Sequence, residues 1–310
     1  MLKYIFKRLL ALVPLLAGAM FIVFMIWHLS PGEPGGLSYP LPEAQHQWRE
    51  RHGLNDPILI QYTRYMAGVF RGNFGISFRN NEPVTQEVMQ HFPHTLRLSL
   101  AALSVALLLA LPMGIIAAIK RNTWIDRLSM FITLIGISIP IFWLGWLLVV
   151  FFSLRLDWLP SSGAAQLNSI VLPGITLGTG MMAAMIRSIR SSVLEVSKQD
   201  YIRTARAKGL SGGKIIRKHV LRNALIPTLE AFKANIGVFF TGILIVEIGF
   251  AWPGIGRLMI RGMAVRDHPM ILGCMFIFIL SFALINLIID IAKAFADPCI
   301  KEQYRQYRQC

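Results

Sequence analysis

Few side chains in this sequence are spaced for chemistry. His91-Phe-Pro-His94, with His268 as a third imidazole far along the chain, comes nearest to a metal set. Two histidines three apart with a proline between them lack a helical geometry for shared ligation, so they read as surface or interface residues. Glu247 and Asp290 lie beside long apolar runs. Carboxylates inside a bilayer mark ion pathways, but these two sit near the ends of the runs, where a snorkelling side chain reaches water. Gly213-Lys214 approaches a phosphate-binding loop and lacks both its upstream glycine and its following Ser or Thr. Cys274, Cys299 and Cys310 show neither metal spacing nor a disulfide framework. No His-Glu-x-x-His occurs, so a zinc hydrolase has no support.

The strongest signal is instead a basic stretch: residues 187–222 hold ten Lys and Arg. Within it, Asp200 suits a helix N-cap. Tyr201 to Lys208 contains no breaker, and Lys208 suits the negative end of a helix dipole. Gly209 can take positive φ just past that end. Ser211 can cap a second helix, on which Ile216, Val220, Ala224 and Leu225 recur near helical spacing. Pro227 marks the boundary between that helix and the next apolar run. The expected local structure is a short capped helix, a glycine turn and a second helix leading into that run. Ala205 and Ala207 leave room for another protein's surface to approach the first helix.

The elements around this stretch are membrane spans. Of 310 residues, 55% are hydrophobic and 15% charged, against ~25% charged in ordinary soluble domains. The net charge of +15 would suggest nucleic acid in a soluble protein; here the basic residues fall between long apolar runs. Crossing the hydrocarbon core takes ~20 apolar residues. Leu9–Leu29, Leu98–Ile119, Leu128–Leu154 and Met270–Ile289 meet this without internal charge. Ile170–Ile186 is marginal, and Ala234–Val246 suffices only when extended back toward Pro227, with Lys233 and Glu247 snorkelling from its ends. The first run has no small-residue cleavage site after it and reads as an uncleaved anchor. Trp143, Trp146, Trp158 and Trp252 are expected at membrane interfaces. Gly174-x-x-x-Gly178 is spaced either to pack another helix closely or simply to leave the span flexible.

With the N-terminus in the cytoplasm, inside connections hold 20 Lys and Arg and outside ones 9. That bias places both termini inside and requires an even number of spans. Residues 30–94 then form an outside segment, with Trp48, Tyr62, Tyr65, Phe70, Phe74 and Phe78 available for a small core. The fold class is an all-α integral membrane protein of about six spans. Its parts are an anchor at 1–30, an extracytoplasmic segment at 31–94 between spans 1 and 2, a transmembrane domain at 95–296, and a tail at 297–310. The basic loop at 187–227 joins spans 4 and 5.

Asp200-Tyr-Ile-Arg-Thr-Ala-Arg-Ala-Lys-Gly-Leu210, followed by His219-Val-Leu-Arg-Asn-Ala-Leu-Ile-Pro227, closely resembles the cytoplasmic coupling loop of binding-protein-dependent ABC transporter permeases. Arg203-Thr204-Ala205 stands where the general motif has Glu-Ala-Ala, and Gly209 where it has its glycine. The missing Glu is the form usual in the dipeptide, oligopeptide and nickel group, and the resemblance is to its first permease subunit type. Further markers occur in order: Met1 to Leu10, Ser30-Pro-Gly-Glu-Pro34, Gly53-Leu-Asn-Asp-Pro57, Gly72-Asn-Phe-Gly-Ile-Ser77, Phe250-Ala-Trp-Pro-Gly-Ile-Gly256 and Asp297-Pro298.

The resemblance implies a multi-pass subunit of a bacterial cytoplasmic (inner) membrane. It implies a second permease subunit, identical or different, two ATP-binding subunits holding ATP and Mg, and an extracytoplasmic substrate-binding protein. No cofactor on this chain, no hydrolysis by it and no nucleic-acid partner are expected. Asp200, Tyr201, Arg203, Thr204, Ala205, Arg206, Ala207, Lys208 and Gly209 would form the ATPase-coupling surface. Di- and oligopeptides are the substrates it favours, with nickel or a metal chelate as the alternative. An ion-coupled secondary transporter, from a different class, would show ionisable groups deep in spans or inverted repeats; neither is visible.

Overall fold

The computed structural model describes residues 2–32, 46–47, 49–50 and 52–296. Glu33-Pro34, Trp48, Asp297-Pro298, Cys299, Cys310 and the tail lie outside the described residues. Among the described residues the chain is helical apart from turns and one antiparallel bridge, Ile76 to Pro83. The helices are α1 (Leu2–Leu29), α2 (Ile58–Phe70), α3 (Val84–Ile119), α4 (Trp124–Ser138), α5 (Ile141–Leu148), α6 (Val171–Val196), α7 (Asp200–Ala207), α8 (Gly212–Ile215), α9 (Leu221–Gly249), α10 (Ile255–Ala264) and α11 (His268–Ala296). Among the described residues five stretches are long and apolar enough to cross a membrane: Phe6–Leu29, Val84–Ile119, Leu167–Val196, Gly212–Gly249 and His268–Lys293. A sixth candidate is the pair Trp124–Ser138 and Ile141–Arg155, bent by 99°.

The bend corrects the single run expected over Leu128–Leu154. Pro140 has no N–H to continue the ladder, and it drives Ile139 to an extended φ of −83° and ψ of 120°. The opposite correction applies at Pro227, which is no boundary: α9 runs through it. α6 extends ten residues past the apolar run that announced it and carries Arg187 and Arg190 with it. His91 and His94 both lie within α3, so the proline between them does not break the helix as expected.

Contacts divide the chain into two compact units, Met1–Leu96 with Ala251–Leu284, and Arg97–Phe250 with Ile285–Cys310. In the first, Met20, Phe24, Met66 and Leu272 form a buried cluster flanked by Tyr62 and Tyr65. The Tyr62 hydroxyl donates to the Ala17 carbonyl at 2.6 Å, tying α2 to α1. Burial pushes the Tyr62 hydroxyl pKa up; for Tyr65 burial does the same, helped by Cys274 and Tyr62.

The family-like markers in this unit are joints. Asp267 caps α11, accepting from Met270 N at 3.2 Å, and also accepts from the Ser77 hydroxyl at 2.5 Å. Thr95 Oγ1 accepts from Ile255 N at 2.8 Å, at the start of α10. Trp252, expected at a membrane interface, is instead buried and donates to the His94 carbonyl at 2.9 Å. Trp143, Trp146 and Trp158 are exposed. At the rim of this unit Arg257 donates to the Ala251 carbonyl, and burial with the nearby Arg261 lowers its pKa.

In the second unit, α3 meets α6 along small residues. Ala102, Ala106, Ala110, Gly114 and Ala118 recur every four positions, the ridge spacing of an α-helix. A Cβ on Gly178 would stand 2.6 Å from the Ala102 carbonyl oxygen, and one on Gly114 would stand 2.8 Å from Ile189 Cβ. Gly174 is looser, its Cβ position 3.4 Å from Ala101 Cβ. The glycine pair read from the sequence is therefore a close helix contact. In lipid, where apolar surface gains little by leaving its surroundings, such packing is what holds helices together.

Candidate functional site

Residues 187–227 make a helix–turn–helix at the end of α6. Gln199, extended at φ −67° and ψ 148°, precedes α7, so Asp200 is the first helical residue and not the cap. It still sits at the positive end of the dipole. At the other end Gly209 has φ +76°. Leu210 N donates to Ala205 O at 3.3 Å and Gly209 N to Arg206 O at 2.9 Å. This is the paired closure that a left-handed residue permits after a helix. Ser211 precedes α8 as expected but makes no side-chain cap bond.

One face of α7 belongs to the protein's own core. Ile202 and Ala205 are buried in a cluster with Ile189, Val193, Val196, Ile215 and Val220. That revises the role expected for Ala205: it faces inward, and only Ala207 of the two alanines is exposed. Tyr201, Arg203, Thr204, Arg206, Lys208 and Gly209 are exposed, as is Asp200, which makes a loose ion pair with Arg203 at 3.7 Å. The Tyr201 hydroxyl accepts from Asn223 Nδ2 at 2.8 Å, a tie to α9 that spacing alone did not reveal. Seven of the nine residues singled out are thus on α7, with Lys208 and Gly209 in the turn that follows, and they divide between a seated face and a largely cationic outer face.

Two further ties were not foreseen. Arg190 on α6 grips Asp126 on α4 with two bonds, Nε to Oδ1 at 2.7 Å and Nη2 to Oδ2 at 2.8 Å. Asp126 is buried and also accepts from Asn122 N at 2.9 Å. On α9 and α11, Lys233 Nζ meets Asp290 Oδ1 at 2.6 Å, and Glu230 pairs with Lys293. Asp290 and Glu247, expected to snorkel to water, are buried. The signal for these pairs was present as opposite charges at the ends of apolar runs, but nothing in the sequence assigned partners.

Gly209-Leu-Ser211-Gly-Gly213 has the spacing of a hydrolase nucleophile turn. That turn needs a strand before the serine; here α7 precedes it, and the match carries no chemistry. Among the described residues no three His, Cys, Asp or Glu gather closely enough to hold a metal ion.

Comparison with known proteins accounts for nearly all of the chain. The family described as binding-protein-dependent transport system inner membrane component matches residues 110–302, and its N-terminal companion matches residues 1–101. The glutathione transport system permease protein GsiC of Salmonella paratyphi A is 41% identical over 97% of this chain and 99% of its own length. That of Escherichia coli K12 is equally similar, with the same coverage. Among solved structures, an inward-facing MetNI methionine ABC transporter aligns with 68% of this chain and 97% of its own. Its TM-score is 0.57 at 19% identity, a likeness of fold alone. An amino acid ABC transporter solved with histidines aligns with 67% of this chain and 94% of its own, with TM-score 0.51 and 14% identity. With all-helical spans and a match along nearly its whole length, the chain belongs to the binding-protein-dependent transport system inner membrane components and is a multi-pass, non-hydrolytic permease subunit of an ABC importer.

Proposed function

We propose that this permease translocates small peptides, glutathione-like tripeptides among them, across a bacterial inner membrane, and that α7 is where ATP hydrolysis on partner subunits is coupled to it. The observation that carries the coupling part is the division of α7. Ile202 and Ala205 anchor it to the core, while Tyr201, Arg203, Thr204, Arg206 and Lys208 are presented outward. A rigid element held on one side and exposed on the other passes a push to α6 and α9 without deforming. Two ATP-binding subunits holding ATP and Mg, a second permease and an extracytoplasmic binding protein complete the reading. Both termini and α7 then face the cytoplasm. The peptide substrate is supported by relatives that carry glutathione transport in their names, and it stands ahead of nickel for that reason.

The test is uptake by the assembled transporter in proteoliposomes with its binding protein. ATP-driven accumulation of glutathione or a dipeptide is expected. Arg203→Glu with Arg206→Glu should keep the permease in the membrane, lose co-purification of the ATP-binding subunits and abolish uptake. Transport of a nickel chelate with no peptide uptake would overturn the substrate. Undiminished uptake by the double variant would overturn the coupling role.

A further inference from the structure

A cavity of about 350 Å³ lies in the second unit, at the start of α9. Its wall is aliphatic, with Leu111 and Ile115 from α3 and Ile189 and Val193 from α6. Arg217 and Arg222 also line it. Both are exposed, and among the described residues neither guanidinium has an ion-pair or hydrogen-bond partner. Arg190, on the neighbouring stretch of α6, is by contrast held by Asp126.

The spacing of the two arginines is informative. Residues five apart on an α-helix point about 140° apart and do not flank one opening. Ile216–Val220, however, is a π-helix. Its i→i+5 bonds widen the turn and bring residues five apart closer to one face than an α-helix does, at a cost in hydrogen-bond geometry that proteins accept mostly at functional sites. Arg217 lies in this π segment and Arg222 just beyond it, and both line the same cavity.

We propose that this cavity binds an anionic phospholipid, with the phosphodiester between Arg217 and Arg222 and an acyl chain along Leu111 and Ile115. The aliphatic wall argues for a lipid over a free anion, and the two cations argue for an anionic over a zwitterionic headgroup. The site is independent of which solute the permease carries.

Native mass spectrometry of the assembled transporter, released from membranes of phosphatidylglycerol and phosphatidylethanolamine, tests it. The wild type should retain phosphatidylglycerol. Arg217→Gln with Arg222→Gln should retain about thirtyfold less, since each basic side chain near an anionic surface is worth about fivefold in affinity. Lys120→Gln with Arg121→Gln, which removes equal charge from another connection, should retain as much as wild type. Leu111→Trp, which fills the wall and keeps both arginines, should also lose lipid. Equal retention by the Arg217/Arg222 variant and wild type overturns the site, and so does equal loss from the Lys120/Arg121 variant. Displacement by inorganic phosphate with Leu111→Trp unaffected makes it a bare anion site and overturns the lipid. Burial of both arginines against the second permease subunit, read as protection from a guanidine-directed reagent, overturns it as well.

Discussion

At the scale of single residues, Gly209 is the sharply constrained position of the turn after α7. Its φ of +76° lies in the left-handed region, and a Cβ there would meet no atom within 4 Å. The demand is therefore on the backbone alone and not on space. Valine at φ > 0 is strained by ~1–2 kcal/mol, whereas asparagine visits this region readily. Gly209→Val should leave the permease in the membrane at near-normal abundance and abolish uptake; Gly209→Asn should transport almost as wild type. Parallel measurement of membrane abundance and uptake decides it, and equal loss from both variants would mean that the turn conformation is not what matters. Ala205 behaves differently. Because it is buried against the protein's own core, a glutamate there would unseat α7 from within.

At the scale of elements, the tightest joint described is the crossing of α3 and α6 at Gly178, where a Cβ would stand 2.6 Å from a backbone oxygen that has no freedom to rotate away. Gly178→Val should destabilise by about 1–3 kcal/mol, the usual cost of overpacking. It would appear as a lower unfolding midpoint of the detergent-purified protein. Gly180→Ala, whose Cβ would sit 3.5 Å from the flexible end of Ile141, should leave that midpoint unchanged. This joint was legible only in part: two glycines four apart in an apolar run suit close packing or a flexible span, and the 2.6 Å approach at Gly178 decides for packing. The Gly209 turn was legible too, because glycine after a cationic helix end has few other uses. The break at Pro140 was visible as a residue but not as a 99° bend, since prolines inside spans are often absorbed by neighbouring helices. The ion pairs were illegible for a different reason. Periodicity shows which face of a helix is apolar, but it does not say which helix stands opposite, and Asp126 with Arg190 are 64 residues apart.

At the scale of the whole molecule, the bent pair α4–α5 decides the topology. If it crosses the bilayer, the spans number six and both termini share a side, as the Lys and Arg bias requires. If it turns back, everything after it is inverted. Single cysteines at Glu82, Gln166 and Gln199, in a background with Cys274, Cys299 and Cys310 replaced by serine, separate the two. An impermeant thiol reagent outside intact cells should reach Glu82→Cys and Gln166→Cys but not Gln199→Cys. Protection of the Gln166 variant with labelling of the Gln199 variant would make the pair re-entrant. The pairs between α9 and α11 have a further consequence, for how the chain is made. A Lys or Asp costs up to ~2.5–3.5 kcal/mol to insert at the centre of a bilayer and less toward its surface. Lys233 enters with α9, and Asp290 arrives only with α11, 57 residues later in synthesis. Glu230 waits likewise for Lys293. During translation Glu230 and Lys233, opposite charges three apart on α9, have only each other until the α11 residues that pair with them are made. A chain cut short before α11 would therefore leave both α9 charges without the partners they hold in the folded protein.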